Sequence, residues 1–252
     1  MSFENKVVIV TGAGAGIGRS TAILFGKHHA KVVVNSVTPV NGEETLRLLK
    51  EAGGDGIYVC GDVSKKETVD RIISETLNTY GRIDVLVNNA GIVLGGTVDN
   101  TTQEDYERTM DVNVRSVLLM TQAVLPAMRA QGGGSIVNTA SVAATKGLVN
   151  RVVYAASKGA VVSMSRAMAM ELIKENIRVN CVSPGTTLTP SLENRIATSP
   201  DPEAALRDFN ARQPMGRLGT PEEIAEAILF LSKEEVGFMS GINLLVDGGV
   251  TL

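Results

Sequence analysis

The 252-residue chain has few of the residues that build disulfide frameworks or metal clusters. Its two cysteines, Cys60 and Cys181, stand outside any Cys-x-x-Cys pattern and outside zinc-ligand spacing to a histidine. Both fall in apolar runs typical of strands, where a free thiol packs as a small hydrophobic side chain. The two histidines, His28 and His29, are adjacent and point to different sides of a helix end, so we expect them on the surface. The sequence therefore predicts no disulfide and no metal site.

Charge of one sign and long hydrophobic runs are also scarce. The net charge is -3, and no long basic run indicates a nucleic-acid surface. No apolar stretch approaches the length that crosses a bilayer. Residues 1–10 lack the basic, apolar and small-residue segments of a secretion signal, so a cytoplasmic protein is expected. We expect neither a nucleic acid nor a membrane as a partner.

Short β-branched runs alternate along the chain with longer segments of helical period. Strands are predicted at 6–11, 31–36, 56–62, 82–89, 134–141, 177–183 and 242–247. Helices are predicted at 17–29, 42–52, 65–79, 103–130, 153–174 and 221–232. Because helices separate most of the strands, the pattern predicts an α/β, doubly wound, Rossmann-like parallel sheet of seven strands. The length fits one domain over residues 1–252.

Residues 186–214 interrupt this alternation. The segment holds three prolines before Pro214 and several polar turns, and it is longer than an ordinary connector. In a doubly wound fold it would lie over the carboxyl ends of the strands, where ligands bind. A mobile substrate lid is therefore its expected role.

A glycine-rich turn follows the first predicted strand and leads directly into a helix. It reads Thr11-Gly12-Ala13-Gly14-Ala15-Gly16-Ile17-Gly18. In this order, backbone N–H groups can approach a pyrophosphate with the positive helix end behind them. A plain tight turn needs fewer glycines than this. The turn therefore predicts dinucleotide binding.

Tyr154 and Lys158 are spaced i, i+4 and so share one face of a predicted helix. A nearby ammonium favours the phenolate, and a phenol with a pKa of about 10 needs that shift for proton transfer near neutrality. We therefore expect the pKa of Tyr154 to be lowered. Ser141 ends the fifth predicted strand, where its hydroxyl could hold a substrate oxygen beside the phenol. An interface aromatic and a surface lysine are the alternative for this spacing taken alone.

Together these motifs resemble the short-chain dehydrogenase/reductase family over essentially the whole chain. The matching positions are Thr11, Gly12, Gly16, Gly18, Asp62, Asn88–Gly91, Asn113, Ser141, Tyr154, Lys158, Pro184, Gly185, Thr189 and Asp247–Gly249. The resemblance implies an NAD(P)-dependent enzyme that oxidises alcohols or reduces ketones. It implies that Asn113, Ser141, Tyr154 and Lys158 are catalytic, with Asn113 holding a proton-relay water.

The resemblance also implies the residues that bind the cofactor. They are Gly12, Gly14, Gly16, Ile17, Gly18, Ser36, Asp62, Val63, Asn89, Gly91, Tyr154, Lys158, Pro184, Gly185 and Thr189. Asp62 is expected at the adenine, Val63 through its backbone, Asn89 and Gly91 on the adenosine side, Lys158 at the nicotinamide ribose and Thr189 at the carboxamide.

The choice between NAD and NADP depends on the end of the second predicted strand. NAD-preferring relatives usually carry an acid there, and this chain has Ser36. Without a carboxylate, a 2'-phosphate is permitted. Val37 supplies no guanidinium, however, and Ala13 and Ala15 put no cation in the glycine turn. Selectivity is expected to be poor, with NADP favoured slightly over NAD.

Three arginines bear on the substrate. The segments Lys146–Arg151, Thr189–Ile196 and Phe209–Gln213 resemble a subgroup that includes cytosolic type-2 3-hydroxybutyrate dehydrogenases and 2-keto-3-deoxy-L-fuconate dehydrogenases. The matching arginines are Arg151, Arg195 and Arg212. Guanidinium groups bind carboxylates bidentately, so these arginines would place a small hydroxy acid beside Ser141 and Tyr154. The alternative is that they are surface arginines paired with Glu193, Glu203 or Asp208.

Other functions stay open at this point. A sugar or polyol dehydrogenase, a 3-oxoacyl reductase and a non-catalytic dinucleotide sensor are the alternatives, and the intact set of catalytic residues argues against the sensor. Small residues recur along the predicted helix at Ala155, Ala156, Gly159, Ala160, Ser163 and Ala167, where helices could approach closely. By the same resemblance this helix and the one carrying Asn113 pair across a two-fold axis, and a homotetramer is expected.

Overall fold

The computed structural model describes residues 3–252. Parallel strands form one sheet in the order β3-β2-β1-β4-β5-β6-β7. The strands are β1 (Val7–Val10), β2 (Lys31–Ser36), β3 (Asp55–Cys60), β4 (Val85–Asn88), β5 (Gly134–Thr139), β6 (Ile177–Pro184) and β7 (Asn243–Val246). The helices are α1 (Gly16–Lys27), α2 (Pro39–Glu51), α3 (Lys66–Tyr80), α4 (Gln103–Met110), α5 (Ser116–Ala130), α6 (Val152–Leu172), α7 (Pro190–Ala197), α8 (Pro202–Ala211) and α9 (Pro221–Ser232). The predicted seven-stranded parallel sheet is confirmed.

Hydrophobic cores cover both faces of the sheet. Val8 and Val10 of β1 pack in a cluster with Phe25 of α1, and that cluster also contains residues of α9. Ile9 points the other way, into a cluster that contains Ile72 of α3 and residues of α5 and α6. Strands buried on both faces are apolar along their whole length, which explains the continuous runs in the sequence.

The strand order reverses between β1 and β4, which places a crevice at the carboxyl ends of these two strands. The Thr11 hydroxyl ties the two ends together by accepting hydrogen bonds from the backbone N–H groups of Asn89 (3.0 Å) and Ala90 (3.1 Å). The glycine turn after β1 and the Asn89–Gly91 segment after β4 therefore meet at one edge, where open α/β sheets bind ligands.

The predicted single helix over 103–130 is wrong in one respect. A π-helical turn, Asp111–Arg115, separates α4 from α5 and contains the buried residue Asn113. A π-turn changes the register by one residue, which a hydrophobic period does not reveal, and such turns are frequent at functional sites.

The segment 186–214 contains two short helices rather than an irregular connection. Pro190 and Pro202 stand at the first positions of α7 and α8, where a missing N–H costs nothing. The Asp201 carboxylate caps α8 by accepting from the N–H of Ala204 (2.9 Å). Apolar side chains of the segment form a small core of their own around Leu192, Ile196, Phe209 and Leu218. No helix within residues 3–252 is both long and apolar enough to cross a membrane.

Candidate active site

The glycine turn leaves the start of α1 open to an anion. Gly12 and Gly16 have φ values of 62° and 52°, in the left-handed region that favours glycine. A Cβ on Gly18 would lie 2.3 Å from the carbonyl oxygen of Gly12, so the turn can close only without a side chain there. The N-cap residue Ala15 makes no side-chain capping bond, and the first turn contains no acid. The N–H groups of this turn therefore suit a pyrophosphate, which supplies the charge that a capping side chain would.

A cavity of about 370 Å³ adjoins this turn and is lined in part by Gly16, Leu188 and Pro190. Thr189, at the start of α7, comes so close that a Cβ on Gly16 would lie 3.2 Å from its Cγ2. Ile17 packs against the core cluster beneath α1. The start of the predicted lid therefore lies directly against the predicted pyrophosphate site.

The predicted adenosine side lies at the ends of β3 and β4. One carboxylate oxygen of Asp62 accepts from the N–H of Ser64 (2.9 Å), and the Val63 side chain is buried, so only its backbone can contact a ligand. The Asn89 amide donates to the carbonyl oxygens of Thr11 (3.1 Å) and Gly12 (3.2 Å). This bond holds the loops after β1 and β4 in place.

Three further predicted cofactor residues lie at the carboxyl ends of β4 and β6, near α6. They are Gly91, Pro184 and Gly185. A Cβ on Gly91 would lie 3.4 Å from Nζ of Lys158, and a Cβ on Gly185 would lie 2.8 Å from Cα of Asp247. Pro184 ends β6, and the N–H of Gly185 donates to the carbonyl oxygen of Val246 (2.9 Å). At Gly91 and Gly185, glycine therefore permits a close approach of the backbone.

A cation lies beside the glycine turn, although Ala13 and Ala15 put none within it. The Arg19 guanidinium donates to the carbonyl oxygens of Gly14 and Asn41, and its Nε donates to the Thr45 hydroxyl (3.0 Å). Ser36 lies on the same side, because a Cβ on Gly14 would lie 2.4 Å from its hydroxyl oxygen. The position of Arg19 near the start of α1 could have indicated this contact, because side chains in the first turns of a helix lean back toward its N-terminus.

Lys158 is buried at the centre of the predicted catalytic residues. Its ammonium donates to the carbonyl oxygen of Thr139 (2.7 Å) and lies 5.9 Å from the centroid of the Tyr154 ring. Burial lowers the pKa of Lys158 to about 8. This environment fits a charged group held in place by the protein and contradicts the alternative of a surface lysine.

The pKa of Tyr154 is raised, not lowered as expected. Burial of the phenol is the largest cause, and the hydrogen bond with the Ser141 hydroxyl and the charge of Arg151 act in the opposite direction. The expected lowering also included the positive charge of an oxidised nicotinamide, so it stays a prediction for the protein with that cofactor. The spacing of Tyr154 and Lys158 defines a shared helix face but not the depth at which the phenol lies. The Ser141 hydroxyl also accepts from the N–H of Ala143 (3.2 Å), which orients it.

Asn113 is fully engaged by protein groups. Its amide donates to the carbonyl oxygen of Ile92 (3.0 Å) and to the Ser157 hydroxyl (3.0 Å), and its Oδ1 accepts from the N–H of Ile92 (2.8 Å). Ser157 in turn donates to the carbonyl oxygen of Tyr154 (2.7 Å). Sequence reasoning missed Ser157, although a serine beside Lys158 on a largely apolar helix was a usable signal. These bonds fix the π-turn against α6.

The structure brings Arg151, Arg195 and Arg212 together; we call these three residues the arginine cluster. Burial lowers the pKa of Arg195, and the charges of Arg151 and Arg212 lower it further. The guanidinium carbons of Arg195 and Arg212 lie 5.0 and 5.5 Å from the centroid of the Phe209 ring. The charge of Arg151 also acts on Tyr154. The cluster therefore extends from the two short helices to the phenol.

Arg195 and Arg212 are exposed, as the surface alternative expects, but the acidic partners that it names do not pair with them. Of the ion pairs found among residues 3–252, none includes Arg151, Arg195 or Arg212. Glu203, one of the acids considered as a partner, lies 3.6 Å from Arg207 instead. Three positive charges that repel one another without a paired acid favour binding of an anion.

Comparison with known proteins agrees with this geometry. The family described as enoyl-(acyl carrier protein) reductase matches residues 12–251. An uncharacterized oxidoreductase of Thermotoga maritima is 44% identical over 251 residues, covering 100% of this chain and 99% of that protein. Dehydrogenase/reductase SDR family member 6 of Danio rerio is 43% identical, covering 98% of this chain and 97% of that protein.

Among solved structures, levodione reductase superposes with a TM-score of 0.94 at 32% identity, covering 98% of each chain. This sheet order, this glycine turn and the half-buried Tyr154 beside the buried Lys158 occur in a chain whose relatives include oxidoreductases matched over nearly their full length. From this fold, this site and these similarities, the chain belongs to the short-chain dehydrogenase/reductase family of oxidoreductases.

Proposed function

We propose that the protein is an NAD(P)-dependent dehydrogenase that interconverts a small hydroxy acid and the corresponding keto acid. The observation that carries the proposal is the arginine cluster, which has no acidic partner and reaches Tyr154 through Arg151. Guanidinium groups bind a carboxylate bidentately and keep their charge at all working pH values. A substrate carboxylate bound there would present its neighbouring carbinol to Ser141 and Tyr154.

Each residue of the site has its own role in the proposed reaction. The Ser141 hydroxyl holds the substrate oxygen, and Tyr154 takes the hydroxyl proton during oxidation or returns it during reduction. Lys158 stabilises the phenolate by its charge, and Asn113 and Ser157 hold the helix that carries both groups. Lys158, Thr189 and Gly185 would hold a nicotinamide beside the substrate carbinol, where it would supply the hydride chemistry of the reaction.

The glycine turn supports a dinucleotide as the cofactor, because α1 begins without a side-chain cap. Gly12, Gly14, Gly16, Ile17 and Gly18 would hold the pyrophosphate. Asp62, Val63, Asn89 and Gly91 would contact the adenosine side, while Pro184, Gly185, Thr189 and Lys158 would contact the nicotinamide side. Ser36 leaves room for a 2'-phosphate and Arg19 adds a positive charge nearby, so NADP is favoured slightly over NAD.

A homotetramer is the proposed assembly, and a cytoplasmic location is proposed with it. The outward face of α6 carries small or flexible exposed residues, namely Ala156, Ser163, Ala167 and Met170, and a Cβ on Gly159 would touch nothing within 4 Å. Such a face permits close packing with a second copy of the helix. Analytical ultracentrifugation tests this proposal, and a monomer at working concentrations would contradict it.

A second candidate activity is reduction of a 3-oxoacyl thioester. The matching family is described as enoyl-(acyl carrier protein) reductase, and the exposed Arg195 and Arg212 could contact an anionic carrier instead of a substrate carboxylate. A sugar or polyol dehydrogenase would need no arginine cluster. A non-catalytic sensor would bind the dinucleotide without turnover of any substrate.

One experiment separates these functions. Hydroxy acids, neutral alcohols of matched size, polyols and a 3-oxoacyl thioester are compared with NAD and NADP in wild-type protein and in Arg151→Met. We expect turnover of the hydroxy acid, and an increase in its KM of about 100-fold in Arg151→Met, because one charged contact to the carboxylate is lost. The KM for the neutral alcohol should stay unchanged, while any fall in kcat from loss of the Arg151 charge near Tyr154 should be the same for both substrates. An equal rise in KM for both substrates would contradict the role of Arg151 in binding a carboxylate.

A further inference from the structure

A buried hydroxyl without a partner belongs to the residue whose carbonyl oxygen holds Lys158. Within residues 3–252, the side-chain oxygens that are buried without a hydrogen-bond partner are those of Thr21, Thr109 and Thr139. Thr139 is 8% exposed and ends β5. An unsatisfied buried hydroxyl destabilises a protein, and valine, which has the same shape, would avoid that loss. A threonine at this position therefore calls for a functional explanation.

The direction of the Thr139 side chain follows from the alternation along β5. Ser135 donates to the carbonyl oxygen of Leu231 at the end of α9, and Val137 packs in the cluster that contains α1 and α9. Asn138 faces the opposite side, where its amide donates to the Ser165 hydroxyl of α6 (2.7 Å). Because side chains alternate in a strand, Thr139 faces the layer of α1 and α9. This is also the face on which the glycine turn begins α1.

The backbone of Thr139 reaches the catalytic centre at the same time. Its carbonyl oxygen accepts the ammonium proton of Lys158 (2.7 Å), and Ser141 follows two residues later. Thr139 therefore stands at the carboxyl edge of the sheet, with its backbone carbonyl on Lys158 and its hydroxyl on the face of the glycine turn. A dinucleotide whose pyrophosphate lies on the glycine turn would have to bring its nicotinamide end to this place to react beside Tyr154.

We propose that the Thr139 hydroxyl is a binding group for the nicotinamide nucleoside, and that it gains its missing hydrogen bond from the polar edge of that group. The proposal rests on the dinucleotide-dependent function proposed above and names one further residue of the same site. On this proposal, the Thr139 hydroxyl destabilises the free protein and stabilises its complex with the dinucleotide. Stability and affinity should therefore respond in opposite directions to its removal.

The test is Thr139→Val, measured without turnover. We expect the Tm of the ligand-free protein to rise by about 2–4 °C, because an unpaired buried hydroxyl is removed from a chain of this size. The Kd of NAD(P)⁺, measured by quenching of tyrosine fluorescence or by calorimetry, should become about tenfold weaker. The Kd of ADP, which lacks the nicotinamide nucleoside, should stay unchanged.

Thr109→Val is the matched control, since Thr109 carries the same kind of hydroxyl on α4. It should raise the Tm and leave the Kd of NAD(P)⁺ unchanged. Thr139→Ser keeps the hydroxyl and should keep the affinity, and Thr139→Ala repeats the contrast between NAD(P)⁺ and ADP if the valine variant does not fold.

An unchanged Kd for NAD(P)⁺ in Thr139→Val, or an equal loss for ADP, would overturn the role of Thr139 alone. A wild-type protein that binds neither NAD⁺ nor NADP⁺ would instead overturn the proposed function, and this inference with it.

Discussion

The proposed catalytic centre and the arginine cluster are built in opposite ways. Asn113 and Lys158 are buried and donate to backbone carbonyls of other segments, and the buried Ser157 accepts from Asn113 and donates to Tyr154 within α6. Arg195 and Arg212 are exposed on two short helices, where they lie over the ring of Phe209. Hydrogen bonds in several directions hold the buried residues in place, whereas a single aromatic ring supports the two arginines.

The difference corresponds to the chemistry proposed for each region. Proton and hydride transfer require reacting atoms held within a narrow range of distances, which a buried network provides. Attraction of an anion acts over longer distances and tolerates movement of the charges. The mutual repulsion of the arginines also means that a bound carboxylate would stabilise the segment 186–214 in place. The proposed role of this segment as a lid is therefore supported by its charge as well as by its position.

The largest expected effect tests the catalytic centre. Tyr154→Phe should lower kcat by about 1,000-fold, because the group that exchanges the proton is removed while the ring stays. The loss should be the same for a hydroxy acid and for a neutral alcohol, and cofactor affinity should change little. Steady-state rates from the absorbance of the reduced nicotinamide measure it. Retention of full turnover would exclude Tyr154 as the acid or base.

A second effect concerns the cost of burying Lys158. Its pKa is lowered by burial to about 8 in the folded protein, while in the unfolded chain it keeps its ordinary value near 10.5. Between these values the unfolded chain binds the extra proton, so stability rises with pH. The free energy of unfolding of the wild type relative to Lys158→Met should therefore rise by about 3 kcal/mol from pH 7 to pH 10.5.

Urea unfolding of both proteins at a series of pH values measures this difference, and other titrating groups cancel between them. Lys146→Met is the control for the loss of a lysine side chain as such, because Lys146 is exposed. If the difference in the free energy of unfolding did not change with pH, burial would not lower the pKa of Lys158.

The sheet and the glycine turn could be predicted because both depend on local sequence patterns. Apolar runs such as residues 31–36 identify strands directly, and four closely spaced glycines identify the turn. The π-turn around Asn113 and the raised pKa of Tyr154 could not be predicted in this way. The first depends on a one-residue change of helical register, and the second depends on how deeply the phenol is buried.

The arginine cluster was predictable only as a set of residue types. Arg151, Arg195 and Arg212 were expected near a substrate, but the Phe209 ring shared by Arg195 and Arg212 was not, because it comes between them only when α7 and α8 fold against each other. Arg19 was missed for a similar reason, since its three acceptors belong to two separate elements of the fold. Contacts between distant segments leave no periodic signal in a single sequence.

The smallest expected effect tests the arginine cluster through Phe209, the ring beneath Arg195 and Arg212. Phe209→Leu keeps an apolar side chain in the small core but removes the aromatic face beneath Arg195 and Arg212. We expect the KM for a hydroxy acid to rise about tenfold, since a cation–π contact contributes roughly 1 kcal/mol per guanidinium. Because Phe209 acts through the arginines alone, kcat and the constants for a neutral alcohol should not change.

Phe238→Leu is the control. Phe238 is fully exposed elsewhere on the surface, so this variant should leave all constants unchanged. A fall in kcat for both substrates in Phe209→Leu would mean that the segment shapes the catalytic centre as well, and the separation between the two regions would fail.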